Sequence, residues 1–242
     1  MKLAAVTVWI LAGAALTGGA YWTFLITPES TIWSLAVSGL MLIVAGVLLG
    51  ITISGAIVGW RHGISARLLR DATNGIPALV PAAAVVGLTW WLVGGATDRV
   101  TIYSGPINAW FIARFGWDDV SWLFKGIEVL AVWAKWVVAP LLGLSAMAGI
   151  LATGWRTLAG TRWITGALAP LPLGFATLAF GALVAAPWVY LAPWRPAMLP
   201  ATTIEIAFIG VKLSVTALLM AIGVALIIRQ ATWTTSTPSS AN

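Results

Sequence analysis

Six runs of roughly 20 or more mostly apolar residues, almost free of charge, leave this chain very few ways to fold. In a hydrocarbon layer about 30 Å thick, only a helix satisfies its own backbone polar groups within one segment, so each run reads as a transmembrane helix. The first covers Leu3 to Ile26 and the second Ile32 to Trp60, with Thr27-Pro28-Glu29-Ser30 as a polar turn between them. The third covers Ile76 to about Thr97, the fourth starts near Asp118 and reaches Trp155, the fifth covers Trp163 to about Leu191, and the sixth Thr202 to Ile228. The expected fold class is therefore all-α, a polytopic membrane bundle of about six transmembrane helices. It forms one domain over 1–230, followed by a Ser/Thr-rich, uncharged tail over 231–242 that the composition marks as disordered. A water-soluble fold fails on composition, since 60% of the 242 residues are apolar and 8% charged, against about 25% charged in globular proteins.

Basic residues set the expected orientation, because short loops rich in Lys and Arg stay in the cytoplasm. With both termini inside, Lys2, Arg61, Arg67, Arg70, Arg156, Arg162 and Arg229 face the cytoplasm against Asp71 alone, a net +6. Arg99, Arg114, Lys125, Lys135 and Arg195 fall on the outer side against Glu29, Asp98, Asp118, Asp119, Glu128 and Glu205, a net −1. The expected location is the bacterial inner membrane. This asymmetry accounts for the pI of about 10.3 without a polynucleotide partner. Trp22, Trp33, Trp90, Trp91, Trp110, Trp117, Trp122, Trp188 and Trp194 fall near the outer interface, and Trp60, Trp155 and Trp163 near the inner one, as indole rings at headgroup level do. Met1-Lys2 and the apolar run with Gly18 and Ala20 have the outline of a signal peptide. The run continues to Ile26, longer than a typical signal core, and reads as an uncleaved anchor.

The absence of cysteine excludes disulfides, thiolate metal sites and thiol nucleophiles, and the single histidine, His62, excludes bis-histidine haem and multi-histidine metal centres. No phosphate-binding loop, dinucleotide fingerprint, HExxH or nucleophile elbow occurs. No catalytic residue, metal site or cofactor is assigned on this basis. Arg61, Arg67, Arg70, Arg156 and Arg162 read as contacts for anionic lipid headgroups on the cytoplasmic side.

Charges inside the spans carry more information, because an ionised group at bilayer depth costs about 2.5–3.5 kcal/mol on insertion scales. Lys125, Glu128 and Lys135 share one face of the fourth span, and Glu205, Lys212 and Thr216 one face of the sixth, so both helices carry Glu-x6-Lys. Counting about 1.5 Å per residue from the inner anchors puts Lys212 about 25 Å above Arg229 and Lys135 about 31 Å above Arg156. Glu205 then comes within one turn of Lys135, and the two are expected to pair if their helices touch. The set reads either as a structural ion-pair cluster near the outer headgroups or as the lining of an outward-facing polar pocket.

Gly46, Gly50, Gly55 and Gly59 form a small-residue seam on the second span, suited to close packing within the chain or against another subunit. Pro140 is expected to bend the fourth span. Gly59-Trp60-Arg61 and Gly154-Trp155-Arg156 recur before proline-marked helix starts at Pro77/Pro81 and Pro170/Pro172, either a trace of duplication or the common composition of an inner interface. After Gly105-Pro106, the spacing of Ile107, Trp110, Phe111 and Phe115 predicts a short interfacial amphipathic helix, and Asp118-Asp119 a cap for the next span. The functional expectation is a non-catalytic accessory, scaffold or assembly subunit of a membrane complex. The alternative is a small transporter using the intramembrane Glu and Lys residues. A lipid-modifying enzyme lacks a visible acid-base set.

Overall fold

The structure is a computed structural model that describes residues 1–28, 30–116, 120–194 and 202–236. Those residues are overwhelmingly helical, without strands, and six segments among them are long and apolar enough to cross a membrane. The chain is a multi-pass membrane protein.

Helices α1 (Lys2–Ile26) and α2 (Ile32–His62) form a tight hairpin. Thr31 caps α2 reciprocally with Ser34, and Gly63, at φ 83°, ends it. A short helix, α3 (Leu68–Asn74), lies where the sequence suggested only a basic loop; it buries Leu68 and Ala72 against α2. A 3-10 turn at Ile76–Ala78, with Pro77 in its first positions, leads into α4 (Leu79–Ile102). Helix α5 (Ser104–Phe115) is the expected short helix, ended by Gly116 in the left-handed region, and none of its residues is buried.

The fourth span comprises α6 (Ser121–Trp133), a π turn (Ala134–Val138) and α7 (Ala139–Thr153). The chain meets Pro140 through that widened turn, in which Ala139 N–H donates to Ala134 O. After a 3-10 turn (Trp155–Ala159), the expected fifth span is divided. Helix α8 (Arg162–Ala167) stands apart, and the crossing segment begins at α9 (Pro170–Ala179), then passes through π turns at Phe180–Ala185 and Pro187–Leu191. Pro170, at the first helical position, makes this break a natural starting point.

Helix α10 (Thr202–Ser236) runs past the boundary expected at 230, so 231–236 are helix rather than disordered tail. The polar composition misled because the threonine hydroxyls bond back to the helix: Thr232 donates to Arg229 O, and Thr234 to Ala231 O. Ala231 and Thr232 are buried. Glu29, Asp118, Asp119, Arg195 and 237–242 lie outside the described residues.

Packing is uneven along the bundle. Most buried residues lie in the half nearer the basic loops, in two apolar clusters: Val6, Ile57, Met147 and Ile228 with their neighbours, and Leu141, Ala167, Ala176 and Ile227 with theirs. Helices α7 and α10 contribute to both clusters and form the hub. In α7 this is the work of small residues, for Gly143, Ser145, Ala146, Ala148 and Gly149 let α4, α8 and α10 approach closely. Toward the other end burial thins out, and no residue of α6 is buried.

Candidate functional site

Three helix ends, those of α2, α7 and α10, converge at the basic end, where their last carbonyls favour cations. Arg61 is half-buried there and knits the three together. Its Nη2 donates to Ala148 O at 2.8 Å and to Thr235 Oγ1 at 3.0 Å, while its Nε is buried with no partner among the described residues. Trp60 donates its indole N–H to Ala225 O at 2.9 Å, and Arg229 lies over Trp60 and Trp233, 5.7 and 4.7 Å from the ring centroids.

Two clefts flank Arg61 and His62. One, of about 480 Å³, is bounded by Trp60, Leu151, Thr232 and Trp233; the other, of about 270 Å³, opens toward Asp71 and Asn74. Across the last turns of α10 lies a larger cavity of about 650 Å³, whose walls include Arg156, Arg162, Trp163 and several threonines. The five arginines read from the sequence as one lipid-facing set therefore divide. Arg61 turns inward, Arg67 and Arg70 are exposed about the start of α3, and Arg156 and Arg162 border the large cavity.

The Glu and Lys residues of the spans do not meet as expected. Among the described residues no ion pair joins Glu205 to Lys135, because the π turn carrying Lys135 packs against α4, α6, α7 and α9 but not against α10, whose main neighbours are α1, α2, α7, α8, α9 and the Phe180–Ala185 turn. Lys135 points toward α4, its amine 5.9 Å from the centroid of Trp90. Lys212 is buried, its Nζ donating to Trp194 O at 3.1 Å and lying 5.8 Å from the Phe208 ring centroid. Lys125 and Glu128 are exposed on α6, and Glu205 is half-buried.

The glycine seam of α2 is used unequally. Gly55 lies under the Trp9 ring, Gly59 against Val6 and Gly50 against Leu79, while Gly46 faces open space. The paired Gly-Trp-Arg motifs also part company: Gly59 is buried within α2, whereas Gly154, at φ 80°, terminates α7. The conformational counterpart of Gly154 is Gly63.

Sequence reasoning missed the part tryptophans play between helices. Trp9 donates to Thr52 O at 2.9 Å, Trp90 to Lys135 O at 2.8 Å, and Trp133 to Thr177 Oγ1 at 3.0 Å. A signal was present, since Trp9 and Trp133 lie away from the ends of their spans, where an indole N–H in hydrocarbon needs a protein acceptor.

These features define a multi-pass helical membrane protein with a polar, arginine-bearing end. No protein-family model, curated protein or solved structure matches the chain.

Proposed function

We propose that the protein is a non-catalytic scaffold or assembly subunit of a bacterial inner-membrane complex, with both termini in the cytoplasm and the basic end against anionic headgroups. The observation that carries this reading is the contrast between the two halves of the bundle. The basic half is knit by two apolar clusters and by Arg61, whereas α5 and α6 bury nothing. On α5, Trp110, Phe111 and Phe115 form a mutual aromatic cluster with ring centroids 5.0–5.7 Å apart, and α6 adds exposed Lys125 and Glu128. A rigid base whose other end exposes Trp110, Lys125 and Glu128 suits a chain that receives another subunit. Native mass spectrometry of the gently extracted protein tests this: a stoichiometric partner lost on Trp110→Ala or Glu128→Lys is expected, and a chain that never carries one overturns the reading.

A carrier is the second reading, favoured by buried Lys212, which sits in a span with a backbone carbonyl and an aromatic ring as its neighbours. The cavities at the basic end are not lined by Lys212, so a carrier would have to open a separate water path to it.

A further inference from the structure

We infer that the 650 Å³ cavity between the end of α7, the Trp155–Ala159 turn and the end of α10 is a binding site for a phosphate group, supplied by the headgroup of an anionic phospholipid or by free phosphate. The assignment rests on the reading that the basic end meets anionic headgroups, and it narrows that reading from a diffuse patch to one built site. Arg156 and Arg162 border the cavity, and neither guanidinium has a carboxylate or other acceptor among the described residues. Trp163, in the same wall, has a buried indole N–H with no acceptor among the described residues, a donor that a folded chain rarely leaves idle.

The threonines do not compete for these donors. Thr153 and Thr157 donate to Gly149 O at 3.2 and 3.0 Å, and Thr234 to Ala231 O at 2.9 Å, so their hydroxyls are engaged with helix carbonyls and form a small polar wall. The donors left without a partner among the described residues are two planar guanidinium forks and the Thr161 hydroxyl on the lining, with the buried Trp163 N–H in the same wall, a set matched to tetrahedral phosphate oxygens. None of the residues lining the cavity is acidic, in contrast to the cleft beside Arg61, where Asp71 would oppose an anion. The volume is that of a small-molecule site and leaves room for whatever the phosphate esterifies. Arg67 and Arg70 line none of these three cavities and serve as the control.

The test uses the full chain in mild detergent, with native mass spectrometry and thermal unfolding in the presence of phosphatidylglycerol, phosphatidylcholine or inorganic phosphate. Phosphatidylglycerol is expected to bind in preference to phosphatidylcholine, and Arg156→Gln with Arg162→Gln to weaken it about tenfold. Trp163→Phe, which keeps the ring and removes the N–H, is expected to weaken it several-fold, and Arg67→Gln with Arg70→Gln to leave it nearly unchanged. Competition by inorganic phosphate, lost in the same variants, would support the site with free phosphate as its ligand. Phosphatidylglycerol binding that survives the Arg156/Arg162 change but falls with Arg67/Arg70 overturns the site and leaves the broader anionic reading standing. No preference for phosphatidylglycerol over phosphatidylcholine, with no phosphate binding, overturns both.

Discussion

Trp90 supplies the hydrogen bond that Pro140 withholds from Lys135. In the π turn, Ala139 N–H reaches back to Ala134, so the next donor in the widened pattern would be residue 140, and proline has none. The indole of Trp90, on α4, donates to the Lys135 carbonyl at 2.8 Å instead. Trp90→Phe should therefore cost about 1–3 kcal/mol, the penalty of a carbonyl left unmet within a membrane span. Pro140→Ala restores a backbone donor and should reduce that cost, so thermal unfolding of the single and double variants in detergent should be non-additive.

The seam on α2 gives a prediction of sign. A side chain at Gly55 would collide with the Trp9 ring, which is fixed by its bond to Thr52 O, whereas Gly46 has open space. Gly55→Ala should destabilise by about 1–3 kcal/mol, as overpacking does. Gly46→Ala should be neutral or stabilise by up to about 1 kcal/mol through helix propensity. Apparent melting temperatures in one detergent would measure both; equal effects would mean that the two glycines play the same part.

Lys212 separates the structural and carrier readings. Its amine meets a carbonyl and a ring rather than a carboxylate, so the methylene stem contributes packing and the charge contributes desolvation cost. Lys212→Met is expected to fold with an unchanged or higher melting temperature, while Lys212→Glu should lower it. A marked loss of stability in Lys212→Met would show that the charge itself holds the helix in place.

The absence of cysteine makes sidedness directly measurable. Single cysteines at Ser65 and Thr161 should react with an impermeant maleimide from the same face of the membrane, and one at Tyr103 from the opposite face. Labelling of Ser65 and Thr161 from opposite faces would break the threading of the six spans.

The spans were legible because hydrocarbon imposes a length and a composition on any helix that crosses it, and Pro77 and Pro170 marked two helix starts for the same backbone reason. Neighbour relations were not legible. Glu205 and Lys135 share a depth, yet depth carries no information about which faces meet, and Lys135 turns to Trp90 instead. Arg61 shares a short stretch of sequence with Arg67 and Arg70, yet its inward turn depends on Ala148 and Thr235, which only the folded bundle brings near. The helical run over 231–236 was hidden by hydroxyls that look hydrophilic in the sequence and bond to their own helix in the fold.

The Arg61 linkage also orders events during synthesis. Its hydroxyl acceptor lies 174 residues downstream, a delay of roughly 9–35 s at about 5–20 residues per second. Its carbonyl acceptor, Ala148 O, arrives about halfway through that interval, 87 residues downstream, and the hydroxyl only at its end. The linkage that knits α2, α7 and α10 can therefore close only after the last span has been made, so the basic end is the final part of the bundle to be locked.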